Sequence, residues 1–183
     1  MRIFLCLLAL LLGLVGCKKS ETTTQAKLDA CSLLTNAEIQ AIQGSAITEA
    51  KANEHSDAGL RMSQCYFSAE QSSKSVSLVV TQTDPDHPGN RTPKDSWKET
   101  FGHGSIGEKE HHGDKEEEEH ESSLPMKIEG IGDEAYWAGS RVGGALYAIK
   151  KNAFIRISVG GPDSQEIKID KSKKLAEKAL GRL

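Results

Sequence analysis

The chain has 183 residues, 37% of them hydrophobic, and a formal net charge of −3 at pH 7. That is apolar material for one modest domain, not two, and the charge balance excludes a strongly basic nucleic-acid binder. No apolar stretch reaches the roughly 18–20 residues that a spanning helix needs, which argues against an integral channel or transporter built of such helices.

Met1-Arg2 is a short positive start, and Ile3 to Val15 is an uncharged, Leu-rich run. It has the length of a secretory signal and falls short of a spanning helix. It ends in Leu14-Val15-Gly16-Cys17, four positions that resemble the lipobox of bacterial lipoproteins. The resemblance implies that residues 1–16 are a cleaved signal peptide and that the Cys17 thiol receives diacylglycerol. Acyl chains such as palmitate would then hold the chain to the membrane, each buried methylene contributing about 0.8 kcal/mol. The competing reading is an ordinary secretory signal that ends in cysteine. Lys18 and Lys19 favour an anionic headgroup surface. Lys18 stands where Asp would resemble an inner-membrane retention signal. That implies an outer-membrane address, facing the periplasm, in a Gram-negative cell. Residues 17–28 read as the lipidated cysteine and a flexible polar tether, and 29–183 as a single domain.

Of four cysteines, Cys6 leaves with the signal and Cys17 takes the lipid. Cys31 and Cys65 remain, and in an oxidising envelope a disulfide is their expected state. A metal or redox pair is the alternative, and no CxxC spacing supports it.

Thr35-Asn36-Ala37-Glu38 is a capping box, with Leu34 and Ile39 at the staple positions, and it predicts a helix over about 36–43 ended by Gly44. Residues 48–61 are polar and unpatterned. Gln64 to Ala69 and Ser75 to Thr83 read as strands joined across 70–74. From Asp84 to Pro125 bulky apolar residues are sparse, so this excursion reads as a polar loop, disordered over about 102–123. Within it Ser96 to Phe101 predicts a short helix with Trp97 and Phe101 on one face. Glu134 to Ala138, Ala145 to Ile149 and Ala153 to Val159 read as strands. The last two are joined by a Lys150-Lys151-Asn152 turn in which Asn152 is suited to positive φ. Asp170 is the expected cap of a C-terminal helix burying Leu175, Ala176, Ala179 and Leu180. The sum is an α+β domain: a mainly antiparallel sheet of about five strands, packed by a short N-terminal and a longer C-terminal helix, with a long polar loop inserted.

Three pieces of this domain, Cys31-Ser32-Leu33-Leu34-Thr35 with Glu38 and Gly44, Cys65-Tyr66, and Gly130-Ile131-Gly132-Asp133-Glu134-Ala135, together resemble a family of uncharacterised secreted bacterial lipoproteins. The resemblance spans most of residues 31–160 and is similar in outline to small α/β sandwich envelope domains. The acidic, His-containing excursion departs from the pattern. The family has no established catalytic residues, so the resemblance implies none here.

The excursion carries the most distinctive chemistry. His103, His111, His112 and His120 lie among eight acidic residues, a mixture suited to Zn, Ni or Cu. The alternative is a solvated loop kept soluble by its charge, since adjacent His111 and His112 cannot face one site on regular backbone. Gly130-Ile131-Gly132 lacks the third glycine and the preceding strand of a dinucleotide loop and reads as a tight turn. Asp133 and Glu134 are adjacent and expected on opposite faces of a strand, which disfavours them as an acid–base pair. No G-x-S-x-G, H-E-x-x-H or papain-like cysteine motif is present. Lys168, Lys171, Lys173, Lys174, Lys178 and Arg182 make the C-terminal helix basic, either a solvated surface or a face for anionic lipid.

The expectation is a membrane-anchored envelope lipoprotein of non-enzymatic character, with catalytic residues none and no cofactor assigned. Its domain would bind or support an envelope protein, a glycan or a lipid, and no nucleic acid. The alternative is divalent-metal binding or buffering through residues 103–121.

Overall fold

The computed structural model describes residues 26–102, 124–140 and 143–183. They form one antiparallel sheet of seven strands flanked by helices, so the domain is α+β. In chain order the elements are α1 (Asn36–Gln43), β1 (Ile47–Asp57), β2 (Leu60–Ala69), β3 (Val76–Thr83), α2 (Pro93–Phe101), β4 (Met126–Lys127), β5 (Glu134–Ser140), β6 (Gly143–Lys150), β7 (Ala153–Val159) and α3 (Gln165–Leu180). The sheet order is β1-β2-β3-β7-β6-β5-β4.

Alternation along the strands divides the sheet into two faces. Val76, Leu78 and Val80 of β3 lie opposite Val159, Ile157 and Ile155 of β7, and all six are buried. Leu146 and Ala148 continue this face onto β6, and Cys65 and Phe67 onto β2. The two end helices cover it: Ile39 from α1 and Leu175, Ala176, Ala179 and Leu180 from α3 complete the main core. The capping box of α1 forms as expected, with Thr35 Oγ1 accepting from the Glu38 amide at 3.2 Å and Glu38 Oε2 accepting from the Thr35 amide at 3.0 Å. Gly44 closes the helix at φ +67, a conformation that costs a residue with a Cβ. Cys31 and Cys65 are disulfide-bonded, with Cα atoms 5.0 Å apart.

Four expectations are corrected. The sheet has seven strands instead of about five. The added long strand is β1, which occupies the stretch expected to be irregular. As an edge strand exposed on both sides, it needs no apolar alternation. The other added strand, β4, is only two residues long. Helix α3 begins at Ser164, whose hydroxyl accepts from the Ile167 amide, and Asp170 sits inside the helix. In the β6–β7 turn the positive φ falls on Lys151, at +56, while Asn152 uses its side chain to reach Thr83 Oγ1 at 3.2 Å. Finally, α2 starts at Pro93, three residues before the expected start, because Thr92 and Asp95 form a second reciprocal cap. Pro at the first helical position donates no N–H that the helix would need.

Candidate binding cleft

Helix α2 packs on the other face of the sheet, over β5, β6 and β7. Residues 94, 97, 98 and 101 share one side of it by helical spacing. Trp97 and Phe101 are buried with Ile149 in a second, smaller cluster. Their ring centroids are 4.5 Å apart, and Phe101 lies 4.9 Å from the Tyr136 ring, nearly parallel to it, and 5.2 Å from the edge of Tyr147. Tyr147 is itself held by Arg156, whose Nε donates to the phenol oxygen at 3.0 Å. This aromatic stack positions the indole of Trp97 beside the start of β5.

There Glu134 receives two donors. Trp97 Nε1–H donates to Oε2 at 2.6 Å and the Tyr136 hydroxyl donates to Oε1 at 2.9 Å. The Tyr136 hydroxyl is pushed above its ordinary value of 10, first by that hydrogen bond, then by burial and by the Glu134 charge. It therefore stays a donor at neutral pH, and the carboxylate is oriented from two sides.

The wall opposite α2 is the 127–133 segment. Gly132 takes φ +61, and a Cβ there would collide with the Ile149 carbonyl, so the turn presses against β6. Asp133 donates its amide to that same carbonyl at 2.8 Å and accepts from the Lys151 amide at 2.7 Å. It is a brace for the turn, whereas Glu134 faces the cleft. Between α2 and this segment lies an open cavity of about 410 Å³. Lys94, Trp97 and Lys98 line one side, Lys127 and residues 128–133 the other, and Glu134 and Ile149 complete the lining. Lys127 pairs with Glu129 at 3.4 Å. Lys94 and Lys98 make no ion pair among the described residues.

The structure thus gathers Gly130, Gly132, Asp133 and Glu134 at one site and gives the two carboxylates different tasks. It does not bring Cys31 or Cys65 there. Cys17 and His103, His111, His112 and His120 lie outside the described residues. Among the described residues no group of three or more His, Cys, Asp or Glu side chains is placed to hold a metal ion. Three of the six basic residues in and just after the C-terminal helix are answered by acids. Lys171 pairs with Asp163 at 2.6 Å, Lys178 with Glu38 at 3.5 Å, and Arg182 with Glu38 at 2.8 Å. Sequence reasoning missed Trp97 and Tyr136 as the partners of Glu134, and Lys94 and Lys98 as its neighbours. The i,i+4 spacing of the two lysines around Trp97 was the available signal.

No family model matches the chain, and no curated protein matches it. Among solved structures it is similar to a GTP binding regulator from Thermotoga maritima, at 12% identity and a TM-score of 0.40. The match covers 79% of this chain and 88% of that one. A likeness at that level says nothing of this chain's chemistry.

Proposed function

We propose that this chain is a lipid-anchored protein of the bacterial cell envelope whose folded domain binds a small ligand without turning it over. The anchor reading is supported by the h-region and Leu14-Val15-Gly16-Cys17. The disulfide between Cys31 and Cys65 fits an oxidising compartment. The observation that carries the binding reading is the pre-oriented Glu134 carboxylate, beside Trp97, in the wall of a cleft of ligand-pocket size. The lining has no serine, threonine, cysteine or histidine, so among the described residues it offers neither a hydroxyl or thiol nucleophile nor an imidazole base.

Two measurements test the two halves. Cells grown with an alkynyl fatty acid should yield labelled protein in the membrane fraction, and Cys17→Ser should abolish the label. An unlabelled wild type removes the anchor. A photo-crosslinking amino acid at position 129, on the cleft rim, should capture an adduct of defined mass in living cells. The same group at position 174, on the exposed side of α3, should capture none. Equal capture at both positions, or none at either, removes the cleft as the binding site.

A further inference from the structure

We infer that the cleft takes a small zwitterion, its phosphoryl group at Lys94 and Lys98 and its primary ammonium at Glu134. The inference rests on the reading of this cleft as the binding site and names the class of ligand.

The charges of the cleft divide into those already answered and those left over. Lys127 is answered by Glu129, and Asp133 is a second carboxylate of the lining with one oxygen accepting from the Lys151 amide. Lys94 and Lys98, one turn apart on α2, make no ion pair within 4 Å among the described residues, Lys98 acting only at longer range on the Asp95 charge. Glu134 remains as one anion whose two donors, an indole and a phenol, are both neutral. Two lysines on one wall and the Glu134 carboxylate on the other are complemented by a ligand with an anionic end and a cationic end. A phosphoryl group joined to an ammonium is such a zwitterion at neutral pH.

Geometry sorts the two ends. Lysines are compact cations that suit a phosphoryl group, whereas no arginine lines the cleft to offer the planar fork that favours a carboxylate. At the other end each Glu134 oxygen accepts one donor from the protein and keeps acceptor capacity for another. A primary ammonium supplies N–H donors there. A quaternary ammonium has no N–H to give.

The cleft opens at the end of the sheet where the chain arrives from its N-terminus. Gln82 of β3 holds that arriving segment, accepting from the Leu28 amide at 2.6 Å and donating to the Ala26 carbonyl at 3.1 Å. Gln82 lies opposite Ala153, Ala153 opposite Lys150, and Ile149 opposite Glu134. The residue that grips the tether and Glu134 therefore sit three strand spacings apart along the sheet, about 14 Å, at one end of it and on opposite faces, Gln82 in phase with Val80 and Glu134 in phase with Tyr136. Eight residues lie between Cys17 and Ala26, and the nine chain steps reach at most about 30 Å. On the anchor reading, a phosphoethanolamine headgroup of the same membrane is within range. A soluble phosphoethanolamine offers the same ammonium and a phosphoryl group, as a monoester with one further negative charge where the lipid headgroup is a diester.

Trp97 reports the site, because Trp137, the other tryptophan, is buried on the opposite face. The full chain in non-ionic detergent would be titrated with phosphoethanolamine, inorganic phosphate and ethanolamine, following Trp97 emission and heat. Phosphoethanolamine should bind one to one and at least about tenfold more tightly than either half alone, a gain of about 1.4 kcal/mol. Lys94→Ser/Lys98→Ser, a pair of exposed positions that leaves the fold untouched, should weaken it about tenfold or more. Glu134→Gln, checked by an unchanged circular dichroism spectrum, should remove the preference for phosphoethanolamine over phosphate. Phosphate binding as tightly as phosphoethanolamine would overturn the inference while leaving an anion-binding cleft. No response to any probe would overturn it as well, and the crosslink at position 129 would separately decide whether the cleft binds something else. In vesicles, free phosphoethanolamine should still shift Trp97 emission in phosphatidylcholine. Loss of that shift in phosphatidylethanolamine identifies the lipid as the source, and an equal shift in both supports a soluble one.

Discussion

Glu38 shows how one side chain serves two levels of structure. Within α1 it completes the capping box with Thr35. Across the fold its carboxylate takes both nitrogens of Arg182, at 2.8 and 3.0 Å, from 144 residues away. The Arg182 hydrogen bond, followed by the Thr35 amide, lowers Glu38 from an ordinary 4.5 to about 2. A lowered folded-state value means stability that is fully present above 4.5 and is lost as the pH falls toward 2. Thermal unfolding between pH 5 and pH 2 should show that loss, and Arg182→Ala should flatten it with only a small cost at pH 7, where solvent screens the pair. A curve of unchanged shape in the variant would contradict the assignment. Asp84 acts in the same pH window. The Ser56 hydroxyl, then the amides of Asp86 and His87, lower it to about 2 from 3.8. It thereby ties the 84–87 turn to the far end of β1.

Helix α2 is held by a different logic from α1 and α3. Those two share the large core, whereas α2 rests on the small aromatic cluster of Trp97, Phe101 and Ile149. Trp97→Ala should remove about 3–5 kcal/mol of packing, the range for deleting a buried aromatic. The loss should stay local. Amide exchange should quicken across 93–101 while β3 and β7 remain protected. Uniformly faster exchange would show instead that α2 belongs to the main cooperative unit. The elements also differ in how far their sequences reveal them. β7 alternates Ile155, Ile157 and Val159 inward against Phe154, Arg156 and Ser158, and is legible at once. β1 carries Glu49, Lys51, Glu54 and Asp57 on an exposed edge. Its state is decided by hydrogen bonding to β2 rather than by burial, so no periodicity marks it.

At the scale of the whole molecule, the disulfide fastens the segment after the tether to β2, next to the edge strand β1. Cys31 sits in a 3-10 turn over Ala30–Ser32, and Cys65 lies in β2 opposite Leu78 of β3. The bridge closes a loop of 34 positions, which by chain entropy contributes about 3–4 kcal/mol. Cys31→Ala/Cys65→Ala should lower the unfolding free energy by about that amount in denaturant titration, with Gln82, Ser63 and Arg61 still holding residues 26–30. A loss under about 1 kcal/mol would show that these hydrogen bonds suffice to seat the segment.

The sequence by itself determined the local structure. The capping box, the alternation of β3 and β7, the glycine at the end of α1 and the α+β class all rest on interactions within a few residues, and their signals lie in adjacent letters. The tertiary structure decided everything that pairs distant residues. It decided which strands adjoin in the order β1-β2-β3-β7-β6-β5-β4, and that Lys171 and Lys178 of α3 are answered by Asp163 and Glu38. It also decided that Glu134 meets Trp97, 37 residues away. The cleft belongs to this second group. Its chemistry depends on which side of the sheet α2 covers, and that choice is made by the burial of Trp97 and Phe101 against Tyr136, Tyr147 and Phe154, residues no local pattern connects.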